Sequence, residues 1–533
     1  MKLKHHSPFH RAGFCLGLVS IVAGACAAPV SYIYDSEDRL TQVTYPDGRQ
    51  IAYAYDDAGN ITSITTRNDS PPAVLITAPL NGLIQMPIGD FPVRLNRTAG
   101  VTGYEAKGLP AGLKINKGTA VDSDGKAPGV IYGIPAKSGV FPVQVSARNA
   151  LGFGAAVTLM VKIDNPFTAT SGGFDLAGNA LVIIPGSDIS GGRAGGLLAL
   201  SISTSGGFSG TLLLGAKKYA VKGQFDGLDG SARITIERPS PLPALVVDLV
   251  LEFAGDARGN ITGTLGDGAV SAALDGAVAA WGPKRTATAF AGPKGAVYNL
   301  ALEPDPAHAG DSSLPKGSGF ATARFKVNGD VQLVGKLADG TPFSGKSLLS
   351  NQGAVPVFVP LGRGAGGLAG ILAASDSGTL DMVADNRISG NLAWERPGAA
   401  SGMTLNSSGG FYTPPEKGFR VMDLGDDASH PPVSLELAAG GLSPAITTAL
   451  TISTANRVTA FAPDNHSFSL TFTPATGMFS GKFTAAPAPR PISFQGILLP
   501  TADGAPAQGC GFFLRPGASL SDPMLSGSAL ITR

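Results

Sequence analysis

The chain has 533 residues, a formal net charge of +1 and only 15% charged residues, which leaves no basic footprint for nucleic acid. Glycine (73) and proline (40) are abundant and aromatics make up 7%, a mix that suits short strands and tight turns better than helices. The length accommodates roughly three to five domains.

Residues 1–27 read as an export signal. Lys2, Lys4 and Arg11 precede an apolar run from Phe14 to Ala23, and the small residues Ala25-Cys26-Ala27 follow. A charged head, a short apolar segment and an A-x-A site are the parts of a secretory signal peptide. Cleavage is expected after Ala27. The competing cut lies before Cys26, with lipidation of that cysteine as in outer-membrane lipoproteins, but Ala23 stands where such signals usually carry leucine. Either route gives a secreted or cell-surface protein. No later run approaches the ~18–20 uncharged residues of a transmembrane helix, and the aromatic girdles of an outer-membrane barrel are missing. Cleavage leaves Cys510 as the one cysteine, so a disulfide framework is excluded and burial must hold the folds. Cys510 itself reads as a small core residue.

Residues 32–64 run YIYDSEDRLTQVTYPDGRQIAYAYDDAGNITSI. Tyr34-Asp35 and Tyr55-Asp56 stand 21 residues apart, each followed by a turn cluster and a strand-forming stretch. In Asp56-Asp57-Ala58-Gly59-Asn60, glycine supplies a positive φ and aspartate caps the backbone; Tyr45-Pro46-Asp47-Gly48 makes a second turn. This stretch resembles the RHS/YD repeat, departing from it at Ser36-Glu37-Asp38, where the family usually places a glycine. The resemblance implies a β-ribbon. Barely two copies are too few to close the shells that family builds, so the ribbon is expected to dock on the next module. Its tyrosines, Tyr34, Tyr45, Tyr53 and Tyr55, are ligand-binding candidates because an aromatic ring offers an apolar body and a polar tip to a sugar. The competing role is cross-strand packing.

A polar linker, Arg67 to Pro72, leads into a second module at 73–164. Phe141, Val143, Val145 and Ala147 alternate with polar neighbours, and Val157, Leu159, Val161 and Ile163 repeat the pattern after a turn at Asn149 to Gly152. Both are half-buried strands by their period of two. Gly108-Leu109-Pro110-Ala111-Gly112-Leu113 has the glycines and proline of a tight crossing between sheets. Three blocks in order, Gly108–Leu113, Gly129–Pro135 and Ala147–Gly152, resemble the cadherin-like/Ig-like module of bacterial surface proteins. The resemblance implies a β-sandwich used as a spacer or a binding module. Cadherin-like sandwiches hold calcium at module junctions, which makes Asp122 and Asp124 of the DSDG turn, with Asp164 and Asn165 at the junction, the calcium candidates. Counting twelve residues from Asp122 ends on Gly133, so the EF-hand glutamate is missing.

Residues 166–533 resemble no named family but contain an internal repeat. A first marker appears as Phe208-Ser209-Gly210-Thr211, Leu333-Val334-Gly335-Lys336 and Phe479-Ser480-Gly481-Lys482. A second follows as Ile261-Thr262-Gly263-Thr264, Ile388-Ser389-Gly390-Asn391 and Leu525-Ser526-Gly527-Ser528, after 53, 55 and 46 residues. Each reads as strand-turn-strand, with glycine at a turn or bulge. Trp281 and Trp394 trail the second marker in the first two copies. The tail therefore divides into β-units at 166–295, 296–420 and 421–533, built either as three sandwiches or as blades of one assembly.

Reactive chemistry is sparse. His308, His430 and His466 lie far apart in polar loops, and neither an H-E-x-x-H nor a G-x-S-x-G motif occurs. The densest acids, Asp226 with Asp229 and Asp423 with Asp426 and Asp427, sit beside glycine, where aspartate caps turns. The expectation is an all-β chain: a YD ribbon, an Ig/cadherin-like sandwich and repeated antiparallel units. Its expected role is non-catalytic adhesion or binding of an extracellular glycan or protein ligand. The alternatives are a secreted polysaccharide-acting enzyme with a site hidden in 166–533, and a remnant of an RHS-type toxin carrier.

Overall fold

The computed structural model describes residues 30–45, 49–68, 70–76, 78–169, 173–186, 189, 195–292, 294–376, 385–399, 402–422, 433–460, 466–485, 490–500, 508–517 and 524–532. The signal segment with Cys26, the Pro46–Gly48 turn, Asp423, Asp426, Asp427 and His430 lie outside these residues. The described chain is all-β, with one four-residue helix at Thr288–Ala291. It divides into two compact units, Met1–Gly82 with Pro87–Lys162, and Leu83–Met86 with Ile163–Arg533.

In the first unit, strands Ser31–Tyr34, Leu40–Thr44, Arg49–Tyr55 and Ile61–Asn68 form a four-stranded antiparallel sheet in chain order. Its two YD turns are built alike. Asp35 Oδ1 accepts from the backbone N–H groups of Glu37 and Arg39 at 3.0 and 2.9 Å. Asp56 Oδ1 accepts from Ala58 and Asn60 at 3.0 and 2.8 Å. Gly59 turns the chain at φ 83°, and Asp38, at the equivalent place in the first turn, takes φ 61°.

The rest of that unit places its longer strands on separate sheets. Gly139–Asn149 lies beside Val157–Asp164 in a five-stranded sheet, and Val130–Gly133 lies between Leu113–Ile115 and Ile88–Pro92 in a three-stranded one. Val143, Val145, Ala147, Leu159 and Val161 are fully buried, as alternation demands. Gly103–Lys107 pairs with Gly139–Asn149 while Leu113–Ile115 belongs to the other sheet, so Gly108–Gly112 is the crossing between them.

The second unit holds three eight-stranded antiparallel sheets, spanning 178–279, 296–411 and 433–532. In the first two the strand order is 4-3-2-1-8-7-6-5. First and last strands pair, Ala180 opposite Val278 and Leu300 opposite Gly409. This is a meander curled into a barrel-like sheet with its seam between the fourth and fifth strands. The third sheet has the order 3-2-1-8-7-6-5-4, and one bridge, Arg457 to Thr471, spans its seam. Each sheet is thus neither a two-layer sandwich nor a blade. The interiors are packed with side chains: Phe167 and Phe225 in the first, Tyr298, Phe325 and Trp394 in the second, Phe483 and Phe494 in the third, all under 2% exposed. Burial of each large side chain stabilises the fold by roughly 1.5–3 kcal/mol.

The marker glycines correct one sequence expectation, because they lie within strands and not at turns. Gly210 sits in Gly207–Leu214 and Gly263 in Asn260–Gly266, the third and seventh strands of the first barrel. A Cβ there would stand 1.9 Å from the carbonyl oxygen of Ala199 or of Asp248. Glycine lets neighbouring backbones approach where a small barrel bends. The second barrel repeats this in its third and seventh strands, Asp330–Lys336 and Arg387–Glu395; in the third barrel the markers fall in the fifth and eighth, Met478–Phe483 and Leu525–Thr532. The motif reports curvature, not a fixed place in a repeat.

Neighbouring barrels are joined through outward-facing residues. Ile183 of the first meets Phe358 and Ala369 of the second, and Trp281 Nε1 donates to the Leu349 carbonyl at 2.6 Å. Ala301, Phe320 and Ala338 of the second meet Ile497, Cys510 and Phe512 of the third, with Phe320 and Phe512 stacked at 6.1 Å.

Candidate binding surfaces

The four-stranded sheet concentrates aromatic side chains on one face. Tyr32, Val43, Ile51 and Thr66 form one cross-strand row, and Tyr53 stands opposite Ile64 in the next. Alternation along the strands puts Tyr34 and Tyr55 on that face too. Tyr32, Tyr34 and Ile64 are 55%, 56% and 60% exposed, so the expected docking of the ribbon on the next module does not cover these side chains.

Two of the four sequence candidates are tied down locally. The Tyr55 hydroxyl donates to the Leu40 carbonyl at 2.8 Å, and the Arg39 guanidinium lies 4.9 Å from its ring centroid. Arg49 lies over Tyr45 in the same way, at 4.9 Å. Arg39 is itself held by Asp35 at 2.9 Å. Backbone N–H donation, first from Arg39, holds the Asp35 carboxyl below its ordinary value; the Asn60 side chain and backbone do the same for Asp56. These carboxylates stay ionised and serve the turns. Tyr34 stays exposed and Tyr32 joins it, whereas Tyr53 is half-buried opposite Ile64. Sequence reading passed over Tyr32, although its period-two spacing from Tyr34 was there to be read.

The acidic candidates fall into two groups. Asp122 and Asp124 converge on one hydroxyl, with Tyr132 Oη 2.8 Å from Asp122 Oδ2 and 2.9 Å from Asp124 Oδ2. Asp122 Oδ1 also accepts from the N–H groups of Asp124 and Lys126, and Asp124 pairs with Lys114 at 3.2 Å. The Lys126 N–H is the main cause that lowers Asp122, the Tyr132 hydroxyl the main one that lowers Asp124, and Asp122 in turn raises Tyr132. Asp164 and Asn165 belong to the second unit. The Asn165 side chain accepts from the Phe167 N–H at 3.0 Å and donates to the Thr204 carbonyl at 2.9 Å. Among the described residues, no three His, Cys, Asp or Glu side chains are grouped to hold a metal.

Asp226 and Asp229 accept backbone N–H groups of Leu228 and Ser231 at 2.7 and 2.9 Å, the turn capping their glycine neighbours predicted. His308 and His466 are half-buried rather than solvent-exposed; His466 Nδ1 lies 2.9 Å from the Thr484 carbonyl oxygen. Cys510 is buried, and that burial raises its thiol well above the usual range, which suppresses the thiolate that reactivity needs.

Residues 34–70 match the RHS Repeat family. The sequence matches none of the curated proteins. Among solved structures, the chain is similar at 24% identity to a Bacteroides fragilis protein assigned as an α-galactosidase/melibiase, over 18% of each chain, with a TM-score of 0.15. A quinonprotein alcohol dehydrogenase-like protein from Bacteroides thetaiotaomicron is 10% identical over 86% of this chain and 98% of that one, TM-score 0.13. Domains 4–9 of the surface layer protein SbsC are 10% identical over 95% and 97%, TM-score 0.12.

Proposed function

We propose that the chain is a non-catalytic, cell-surface or secreted protein that binds an extracellular glycan or protein ligand through the tyrosine face of its RHS sheet. The exposure of Tyr32, Tyr34 and Ile64 on one face of the four-stranded sheet carries this reading. Contiguous exposed apolar side chains mark interaction surfaces, and tyrosine adds a hydroxyl that bonds a sugar while its ring stacks on the C–H face. The RHS repeat favours a surface or secreted carrier. In this reading the Ig/cadherin-like stretch at 73–164 is a spacer. The packed barrel interiors favour recognition on outer surfaces.

A glycan array and immobilised surface proteins, probed with the full chain and with its Tyr32→Ala/Tyr34→Ala variant, provide the test. Saturable binding without product release is expected from the parent, and roughly a five- to hundredfold loss from the double variant, since each stacked ring contributes about 0.5–1.5 kcal/mol. Binding that the double variant retains in full would overturn the assignment to this face. Turnover abolished by one carboxylate substitution would establish the enzymatic alternative.

A further inference from the structure

A groove runs along the outer wall of the second barrel where it meets the third. Two rows of outward-facing residues define it on strands Gly319–Phe325, Asp330–Lys336 and Pro342–Leu348. Phe320, Lys336 and Pro342 stand opposite one another, as do Thr322, Val334 and Ser344. Met478 of the third barrel completes the lining, and the groove's volume is about 480 Å³. Small-molecule sites span roughly 300–1,000 Å³.

The chemistry of the lining is unusual for a barrel's outer wall. Solvent-facing positions on antiparallel strands are ordinarily polar, yet Val334 and Met478 are 47% and 38% exposed. The charge beside them is positive. Lys336 Nζ donates to Gln495 Oε1 at 2.9 Å, a neutral partner, and no carboxylate of the described residues pairs with it. The next row on the same wall sets Arg324 and Lys346 on either side of Gln332. Asp330, at the strand end, is paired with Lys326 at 3.7 Å.

We propose that this groove binds a single-chain amphiphile with an anionic head, of the fatty-acid class. The chain lies along Val334, Phe320 and Met478, and the carboxylate takes the donors of Lys336 that Gln495 leaves unused. An ammonium in a partly desolvated apolar groove selects an anion over a neutral or cationic head of equal length.

Calorimetric titration of the full chain with monomeric laurate, and with dodecanol as the neutral analogue, tests this. Saturable one-site binding of laurate is expected. Lys336→Gln weakens laurate about tenfold, the size of one charge-assisted hydrogen bond, and leaves dodecanol unchanged. Val334→Glu abolishes both, and Met478→Glu repeats that loss from the third barrel should Val334→Glu fail to fold. Variants of the tyrosine face keep laurate binding, so this site and the proposed glycan surface stand or fall separately. Absence of saturable laurate binding, or binding undiminished by Lys336→Gln and Val334→Glu, overturns the proposal. Capture of the chain by phosphatidylglycerol vesicles without monomer binding also overturns it, in favour of a membrane-facing wall.

Discussion

Asn299 on the second barrel donates an amide hydrogen to the carbonyl oxygen of Leu498 on the third at 2.9 Å, and its other reaches Thr476 at 3.0 Å. The side chain is fully buried. One carboxamide therefore satisfies two carbonyls that barrel packing removes from water. Asn299→Leu leaves both unpaired and should cost about 1–3 kcal/mol. The checkable outcome is calorimetric: the variant should melt at a lower temperature than the parent.

The close strand approach at Gly210 gives a second expectation. Its hypothetical Cβ overlaps the Ala199 carbonyl oxygen, whereas one at Gly282 meets nothing within 4 Å. Gly210→Ala should destabilise by about 1–3 kcal/mol, as overpacking does, with Gly282→Ala nearly neutral. Urea midpoints of the two variants measure the contrast.

The paired YD turns make opposite predictions from one geometry. Gly59 at φ 83° and Asp38 at φ 61° occupy equivalent places. Gly59→Ala should lose about 1–2 kcal/mol to left-handed strain. Asp38→Gly relieves strain but loosens the unfolded chain, so its gain should stay below about 1 kcal/mol. Amide exchange at Arg39 and Asn60 reads each turn separately.

Glu303, half-buried on the outer wall of the second barrel, supplies a pH dependence. Burial raises its carboxyl above the ordinary 4.5, so the folded state prefers the protonated form. Its contribution to stability is complete below the ordinary value and is lost as pH rises through the raised one. Glu303→Gln should therefore match the parent at pH below the ordinary carboxylate value and exceed it increasingly as pH rises above that value. Thermal melts on both sides of it would expose a wrong sign.

Much of the first unit was legible because its signals are local. Alternation at Val143, Val145 and Ala147 marks a half-buried strand whatever lies around it, and all three are fully buried. The aspartate-capped YD turns likewise depend on four or five consecutive residues. The barrel walls were harder. Strand Ala296–Pro304 buries Tyr298, Leu300 and Leu302 inward and Asn299 and Ala301 outward, because the third barrel covers its outer face, and the period of two disappears. Lys336 stood in a marker read as strand-turn-strand. Its place beside Val334 and Met478 depends on which strands become neighbours, and no spacing in the sequence encodes that.

Cys510 is the one cysteine beyond residue 27, and it lies 1% exposed where the second and third barrels meet. Thiol reagents require a reachable thiolate. In protein from which residues 1–27 have been removed, alkylation followed by intact mass therefore works as a clock. Each modified molecule has parted those two barrels at least once, and the rate gives the frequency of that separation without any engineered label.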